Sequence, residues 1–259
     1  MKPRVSIITV CYNAEKTIEN TICSILQQSF LGYEYIIVDG QSEDRTNNII
    51  QKYLSAFANR GITVKYISEK DNGIYYAMNK GIDMAEGEWI AFMNADDSYY
   101  DTEVLQDIFG ENKYEDYDVI YGSTNYIDDK NEKIRKPLNL NILRKQVVFA
   151  HQSSFVKMEI MKKKHFDVTY RLAADYQLFL ELWLENKRFM ELEGCVVANF
   201  SECGISKAKS FESIAELRKI RYHHDIPGNS KIKDWLDYAW WVVVHLGGRR
   251  IKKDKKFKE

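Results

Sequence analysis

The chain has 259 residues, 45% of them hydrophobic and 29% charged, so it can bury a sizeable core and is not globally disordered. Its 37 lysines and arginines balance 38 acidic residues, and the net charge of −1 gives no general attraction for nucleic acid. With 3 prolines and 13 glycines, the composition excludes a fibrous or low-complexity protein. We expect one main domain, residues 1–225, followed by a C-terminal segment, residues 226–259.

The four cysteines show neither CxxC pairs nor the spacing of a zinc site, which favours free thiols in a reducing compartment. The first apolar run, Val5–Val10, is too short and too polar for a secretory signal peptide. No stretch reaches the roughly 18–20 apolar residues that a membrane-spanning helix needs. We therefore expect a cytoplasmic protein.

Strands and helices alternate along the first hundred residues. Runs rich in β-branched and aromatic residues predict strands, and apolar residues spaced three or four apart predict helices. The predicted strands are Val5–Val10, Tyr35–Val38, Ile62–Ile67 and Trp89–Met93. The predicted helices include Ile18–Leu26, Ile49–Phe57 and Ile74–Ala85, with Asn13 and Ser42 as N-terminal caps of the first two. The alternation predicts an α/β fold, a parallel sheet between two helix layers.

The second half is less regular but shows no linker, so we expect it to continue the same domain. Its predicted strands and helices follow the same kinds of pattern. They comprise a strand at Asp118–Tyr121, a polar hairpin at Asn125–Lys136, a helix with an apolar face at Tyr176–Leu184, strand-like pieces within Phe189–Phe200 and a charged helix at Phe211–His224.

Ligands of open α/β sheets bind beyond the carboxyl ends of the strands. This rule predicts that residues 9–13, Asp39, residues 68–73 and residues 94–97 converge on one crevice. There, Asp39 could accept hydrogen bonds from a base or ribose, and the helix that follows Asp71-Asn72-Gly73 could turn its first amides towards phosphate. The sequence has neither a GxGxxG nor a Walker A motif, which disfavours a dinucleotide-binding fold and a P-loop ATPase.

Two adjacent acids, Asp96 and Asp97, directly follow the fourth predicted strand. Their carboxylates repel each other unless a cation or hydrogen-bond donors hold them. Carboxylate oxygens suit Mg²⁺ or Mn²⁺, which would in turn bridge phosphate oxygens. The alternative is a solvated turn whose acids cap the next helix.

Four motifs in this order resemble the family 2 inverting glycosyltransferases, especially the bacterial enzymes that build surface polysaccharides. The motifs are Val5-Ser6-Ile7-Ile8-Thr9-Val10-Cys11-Tyr12-Asn13, Val38-Asp39-Gly40-Gln41-Ser42-Glu43-Asp44-Arg45-Thr46, Asp71-Asn72-Gly73 with Ala77-Met78-Asn79-Lys80-Gly81, and Asn94-Ala95-Asp96-Asp97. The resemblance is close over about residues 4–100 and looser to about residue 205. It implies the GT-A fold, with a Rossmann-like nucleotide-binding half at 1–100 and an acceptor half at 101–225.

The resemblance also implies a nucleotide-diphosphate sugar donor, most often UDP-linked, and Mn²⁺ or Mg²⁺ as cofactor. The positions that match the family's donor site are Thr9, Tyr12, Asn13, Asp39, Lys70, Asp71, Gly73, Asn94, Ala95 and Asp96. Two departures stand out. Asn94 replaces the usual first aspartate of the Asp-x-Asp region, so the acidic metal ligands must be Asp96 and Asp97. Gly40-Gln41 replaces the commoner Asp-Gly, which leaves the identity of the base open.

An inverting transfer needs a base that takes the proton of the acceptor hydroxyl. Asp175, in Ala173-Ala174-Asp175-Tyr176-Gln177-Leu178, matches the family's acidic motif and is the candidate base; the alternative is a plain helix N-cap. Ala174 stands where the family usually has a second acid. His151 and Gln152 are candidate contacts to acceptor or diphosphate, and Ser206 lies in a Gly-Ile-Ser loop that could cover the diphosphate.

The C-terminal segment joins an aromatic stretch, Trp235–Leu246, to a tail, residues 249–259, with seven Lys and Arg against two acids. Tryptophans beside a basic run suit the interface of an anionic membrane. The alternative is a helix packed on the domain with a disordered tail. We expect peripheral binding at the inner face of the cytoplasmic membrane.

The sequence therefore predicts a metal-dependent enzyme that transfers a sugar to a glycan or lipid-linked saccharide. Because Asn94 and Ala174 both depart from acidic positions, a catalytically silent nucleotide-sugar-binding or scaffold subunit at the membrane is the alternative. A nucleotidyltransferase is disfavoured, since the first strand is not followed by a glycine-rich basic loop.

Overall fold

The computed structural model describes residues 2–111, 113–128, 131–201 and 210–224. The strands are β1 (Val5–Cys11), β2 (Tyr33–Asp39), β3 (Thr63–Ser68), β4 (Trp89–Phe92), β5 (Ser98–Tyr99), β6 (Val119–Ile127), β7 (Glu132–Arg135), β8 (Ser154–Lys157) and β9 (Phe189–Ser201). The helices are α1 (Ile18–Leu26), α2 (Thr46–Asn59), α3 (Ile74–Met84), α4 (Val104–Phe109), α5 (Met158–Lys164), α6 (Ala174–Leu184) and α7 (Ser210–His223), with 3₁₀ turns at Leu140–Ile142 and His151–Ser153.

The strands form one mixed sheet in the order β3-β2-β1-β4-β8-β6-β9-β5, with β7 paired to β6. The first four are parallel, as predicted, because each strand returns to the sheet through a helix. β8 runs antiparallel to both β4 and β6 and so joins the two halves. β1 lies between β2 and β4, which makes its carboxyl end the point where the strand order reverses and where ligands of such sheets bind.

Apolar side chains cover both faces of the sheet, which explains why the first strands show no alternation of polar and apolar residues. On one face, Ile8 and Val38 belong to a cluster that includes residues of α3, α5 and α6. On the other face, Ile7, Tyr35 and Trp89 pack with residues of α1, α2 and α4. The predicted three-layer arrangement is confirmed.

Most predicted elements are present, while the short elements β5, α4 and α5 gave no clear periodic signal. The two predicted helix caps are wrong: α1 has Thr17 at its N-cap and α2 has Arg45. Asn13 has a left-handed backbone (φ 50°), and its Oδ1 accepts a hydrogen bond from the Glu43 amide at 2.9 Å. Ser42 donates to Asp39 instead of capping α2. These side chains connect two strand-end loops to each other.

The Asn79-Lys80-Gly81 motif of α3 has structural roles. Asn79 Oδ1 accepts from the Phe166 amide at 2.8 Å, and its Nδ2 donates to the Phe166 carbonyl at 2.9 Å. A methyl group at Gly81 would overlap Cγ2 of Ile8, so the glycine allows α3 to lie directly against β1. The motif therefore holds α3 between the sheet and the second half.

A buried carboxylate at the opposite end of the strands joins three elements. Glu34 is 1% exposed and accepts hydrogen bonds from Ser6 Oγ (2.6 Å) and the amides of Glu86 (2.6 Å) and Gly87 (3.1 Å). Lys65 Nζ lies 2.9 Å from its Oε2. Burial alone would raise the pKa of Glu34, but the bonds from Ser6, Lys65 and the Glu86 amide hold this pKa below its ordinary value.

We predict that Glu34→Gln lowers the free energy of unfolding by about 2–4 kcal/mol at pH 7.5. The amide NH₂ of the glutamine would face the hydrogen-bond donors that now surround the carboxylate, and the charge that pairs with Lys65 would be lost. Because the folded pKa of Glu34 is depressed, its contribution is present above the unfolded pKa and is lost as the pH falls through the folded value. The difference between variant and wild type in urea unfolding should shrink towards pH 4. Glu86→Gln is the control, since Glu86 also meets Lys65 at 2.9 Å but is 71% exposed. Equal losses in both variants would contradict the prediction.

Candidate active site

Asp39 ends β2 and is completely buried at the carboxyl edge of the sheet. Its Oδ2 accepts hydrogen bonds from the Ser42 amide (3.0 Å) and from Ser68 Oγ (2.6 Å), and the Ser42 hydroxyl donates to Oδ1. Burial and the nearby Asp39 charge raise the pKa of the Cys11 thiol, which lies 3.6 Å from Oδ1 and so stays protonated. Asp39 thus orders the loops after β2 and β3 that surround the crevice.

The residues after β1 fall into accessible and inaccessible positions. Tyr12 is 62% exposed, and a Cβ at Gly40 would lie 3.4 Å from its ring, so the ring stands over the start of the β2 loop. Asn13 is exposed beside it. Thr9 is completely buried. Its hydroxyl donates to the Met93 carbonyl at 2.7 Å and accepts from the Tyr35 hydroxyl at 3.0 Å, so as placed it bonds to the protein and does not face the expected nucleotide.

The segment between β3 and α3 carries an ion-paired acid. Asp71 Oδ1 lies 2.6 Å from Lys80 Nζ, which also lies 2.6 Å from Glu69. Lys70 is exposed. Gly73 precedes α3 with φ 136°, a backbone conformation that favours glycine. The segment therefore presents one exposed ammonium and an ordered helix start at the crevice.

The two predicted acidic ligands, Asp96 and Asp97, lie in the turn Asn94–Asp97 but differ in their burial. Asp97 is 2% exposed, and its carboxylate accepts hydrogen bonds from Gln152 Nε2 at 2.8 Å and from the Ser201 amide at 3.2 Å. Burial and the adjacent charge of Asp96 raise the pKa of Asp97 to about 7. Asp96 is only partly buried, and burial raises its pKa as well. Ala95 lies in the core.

Asp97 is therefore held by protein donors, and the two acids of the expected pair differ in their accessibility. It directly precedes the strand β5 and is buried, so it is not a solvated helix cap either. The described residues contain no group of three or more His, Cys, Asp or Glu able to enclose a metal. Mg²⁺ is commonly held by one or two carboxylates together with substrate phosphates. Asp96 fits that mode, because its carboxylate is the accessible one of the two.

Asp175 lies in the first turn of α6 and does not cap it. The loop amides before the helix are satisfied from α7: Glu216 accepts from Arg171 (2.8 Å), Leu172 (2.8 Å) and Ala173 (3.0 Å). The N-cap alternative for Asp175 is therefore wrong, since a carboxylate 41 positions later in the chain performs the capping.

The Asp175 carboxylate instead faces the first half of the domain. Its Oδ2 lies 3.0 Å from His151 Nδ1, and Oδ1 accepts from the Tyr75 hydroxyl at 3.1 Å. His151 Nε2 lies 3.1 Å from Asn94 Nδ2. A continuous hydrogen-bonded chain therefore runs from Asp175 in the second half to the Asn94–Asp97 turn at the end of β4.

This pair is largely buried, and each partner shifts the pKa of the other. Burial alone would raise the pKa of Asp175, but the hydrogen bond and charge of His151 hold that pKa below its ordinary value. Burial alone would lower the pKa of His151, but Asp175, Asp97 and Asp96 raise it. The side chains of His151 and Asp175 keep 17% and 23% exposure, so a small group can reach the carboxylate.

The sequence did not predict three residues that contribute to the site, namely Tyr75, Ser201 and Glu216. Tyr75 is 6% exposed and lies on the apolar face of α3, so its pattern is that of a core residue. Ser201 contributes a backbone amide, which any residue type could supply. The hydrophobic pattern of the sequence gives no signal for such contacts. Ser206 lies outside the described residues.

We predict that Gln152→Leu destabilises the protein by about 1–3 kcal/mol without added metal, since the buried Asp97 carboxylate loses a donor. The pKa of Asp97 is already raised to about 7, and the hydrogen bond from Gln152 stabilises the charged form of the carboxyl. The loss of stability in the variant should therefore grow as the pH rises from 5.5 to 8.5 and more of the Asp97 carboxyl becomes charged. Urea unfolding at both pH values measures it. Gln28→Leu is the control: Gln28 is completely buried but bonds backbone groups, including the Asp101 carbonyl at 2.6 Å. A pH-independent loss in Gln152→Leu would contradict the prediction.

Comparisons with known proteins show that the chain is similar to bacterial glycosyltransferases. A "PGL/p-HBAD biosynthesis glycosyltransferase" of Mycobacterium bovis is 28% identical over 206 residues, 78% of each chain. The "Putative teichuronic acid biosynthesis glycosyltransferase TuaG" of Bacillus subtilis is 42% identical over 98 residues, 38% of each chain.

Among solved structures, S. aureus TarS 1–349 in complex with UDP-GlcNAc is similar with a TM-score of 0.69 and 20% identity, over 89% of this chain and 68% of that one. The mannosyltransferase PcManGT from Pyrobaculum calidifontis, in complex with GDP-Man and Mn²⁺, gives 0.61 and 18%, over 78% and 57%. The fold is that of the GT-A enzymes. The model of the family "Glycosyl transferase family 2" matches residues 6–178, and the chain belongs to that family as a glycosyltransferase.

Proposed function

We propose that this glycosyltransferase moves a sugar, with inversion, from a nucleotide-diphosphate sugar to a hydroxyl of a glycan or lipid-linked saccharide during polysaccharide assembly. The observation that carries the proposal is the bonding of Asp175, from the acceptor half, to His151 and through it to the Asn94–Asp97 turn. An accessible carboxylate thereby lies in one bonded network with the carboxyl edge of the sheet, where ligands of open α/β folds bind.

Related proteins support the nature of the donor and the process. A similar fold binds UDP-GlcNAc in TarS, and another binds GDP-Man with Mn²⁺ in PcManGT. TuaG is described as acting in teichuronic acid biosynthesis. We infer a UDP-linked donor for this chain. Tyr12, Asn13 and the loop ordered by Asp39 would hold the base and ribose, and Lys70, Asp71 and Gly73 would complete the nucleotide pocket.

The proposed chemistry is a single displacement. The acceptor oxygen attacks C1 of the sugar, the bond from C1 to the phosphate oxygen breaks with its electron pair on the diphosphate, and the proton goes to the Asp175 carboxylate. His151 and Tyr75 orient that carboxylate. A divalent cation held by Asp96 would neutralise charge on the leaving diphosphate. The exposed Lys70 lies in the segment that we assign to the same phosphates.

We predict that Asp175→Asn binds UDP like the wild type but lowers Mn²⁺-dependent hydrolysis of UDP-sugars by about 10²–10⁴-fold, because water then lacks its base. Asp96→Asn should instead weaken the Mn²⁺-dependent part of UDP binding. Calorimetry measures binding, and UDP release measures turnover. The control is Asp83→Asn, an exposed acid that pairs with His165 at 2.8 Å. Full turnover in Asp175→Asn would exclude Asp175 as the base, and unchanged Mn²⁺ dependence in Asp96→Asn would exclude the metal assignment.

We further propose that the basic C-terminal tail binds an anionic membrane, where a lipid-linked acceptor would lie. Residues 225–259 are outside the described part of the chain, so the support is the sequence: seven Lys and Arg in residues 249–259, each contributing about 1 kcal/mol near such a surface. Within the described residues, none of the helices combines the length and apolarity needed to cross a bilayer.

We predict that deleting residues 249–259 abolishes sedimentation with phosphatidylglycerol vesicles at low salt, while phosphatidylcholine vesicles bind neither protein. The control variant, Lys162→Gln/Lys163→Gln, removes two exposed basic residues of α5 and should still sediment. Undiminished binding of the deletion variant would refute a membrane role for the tail.

A further inference from the structure

The 3₁₀ turn His151–Ser153 joins acids from the two halves of the domain. His151 bonds Asp175 of α6 at 3.0 Å, and its neighbour Gln152 bonds Asp97 of the β4–β5 turn at 2.8 Å. Gln152 is 4% exposed, and the side chain of His151 keeps 17%. The sequence suggested direct contacts to substrate for this pair, whereas the structure directs both side chains to carboxylates of the protein.

Two donors on different elements fix the Asp175 carboxylate. Tyr75 of α3 donates to Oδ1 and His151 contacts Oδ2, so the carboxylate plane cannot rotate freely. Each oxygen of a carboxylate can accept more than one hydrogen bond. With 23% of its side chain exposed, Asp175 therefore keeps a lone pair for an incoming hydroxyl while its orientation is set from behind.

Asn94 is suited to hold the far side of the imidazole in either protonation state. As placed, Asn94 Nδ2 faces His151 Nε2 at 3.1 Å, the arrangement of a neutral ring that carries its proton on Nδ1. Asn94 Oδ1 is buried and has no hydrogen-bond partner among the described residues. A half-turn of the amide would present Oδ1 to a protonated Nε2 and satisfy that oxygen. An aspartate at this position could serve the protonated ring alone.

We propose that His151 and Tyr75 are positioning residues for the base Asp175, and that Asn94 in turn positions His151; this rests on the proposed role of Asp175. In the transfer step none of the three touches the reacting atoms. His151 and Tyr75 hold the Asp175 carboxylate towards the acceptor hydroxyl. The bond between His151 and Asn94 connects this carboxylate, through the histidine, to the turn that carries Asp96. The distance between base and diphosphate is thereby set by the fold.

We predict that His151→Ala lowers kcat about 10- to 100-fold, the usual effect of losing a residue that orients a functional ligand, while KM for the UDP-sugar stays within about twofold. Tyr75→Phe, which removes only the hydroxyl, should lower kcat in the same way but less. His151→Asn retains a donor close to the position of Nδ1 and should recover part of the activity. A general loss of packing would not produce this recovery.

A pH profile provides a second readout. Without His151, the pKa of Asp175 should rise, because the bonds from the Tyr176 amide and the Tyr75 hydroxyl then oppose burial without the hydrogen bond and charge of the histidine. The acid limb of kcat should move to higher pH in His151→Ala. The other acids near the histidine, Asp96 and Asp97, belong to the Asn94–Asp97 turn and remain unchanged in this variant.

Two controls separate this inference from the proposed function. His165→Ala removes another histidine–aspartate pair, on the surface, and should leave kcat and the acid limb unchanged. In an Asp175→Asn background, adding His151→Ala should cause little further loss, since the histidine acts through the aspartate.

The outcomes are distinct. If Asp175→Asn is inactive but His151→Ala and Tyr75→Phe keep the wild-type kcat and acid limb, the positioning role is wrong and the proposed base stands. If His151→Ala does not fold, His151→Asn and Tyr75→Phe decide the same question. If Asp175→Asn is fully active, both the proposed base and the positioning role are wrong.

Discussion

The central sheet is covered by apolar side chains on both faces, and this leaves charged groups a place only at strand ends and edges. Because β2, β1 and β4 are parallel neighbours, the polar residues that follow them collect at a single edge. β8 then pairs with β4 in the opposite direction, which brings the turn at His151 to the same edge. The candidate active site therefore lies at the carboxyl edge of the sheet, because polar side chains can be accommodated there and not on the apolar faces.

Several carboxylates are nonetheless largely buried, and those of Glu34, Asp39, Asp97 and Asp175 are each stabilised by different donors. Glu34 uses a lysine and backbone amides, and Asp39 uses serine donors. Asp97 uses a glutamine and an amide, and Asp175 uses a histidine and a tyrosine. A buried charge with such partners is held in one orientation, whereas loss of a partner is costly. Asp96, which is partly exposed, is the acid of the strand-end turn best placed to meet an external cation.

Two of the departures from the family pattern, Ala174 and Asn94, have structural correlates. Ala174 is completely buried where the family usually has an acid, so an acid here would need its own donors. The amides before α6 are already served by Glu216 of α7, which leaves Asp175 available for other contacts. Asn94 meets a histidine ring with a group that can both donate and accept. These substitutions alter the support of the site and leave its accessible carboxylates in place.

Local pattern was enough to predict the parallel half of the fold, since β-branched runs and helical periodicity report burial directly. It also selected the strand-end residues, because the position of ligands in open α/β sheets follows from topology. The resemblance to a family added the candidate base Asp175.

The sequence alone could not assign the direction of each side chain within those turns. Asp96 and Asp97 are adjacent aspartates that the sequence pattern does not distinguish. Their different exposure depends on Gln152 and Ser201, which bond Asp97 and lie 55 and 104 positions after it in the chain. The same holds for Thr9, which bonds inward, and for Tyr75, whose apolar position conceals a hydroxyl directed at Asp175. Local patterns identify which residues reach the crevice; the long-range hydrogen bonds of the folded chain decide which of them remain accessible to a ligand.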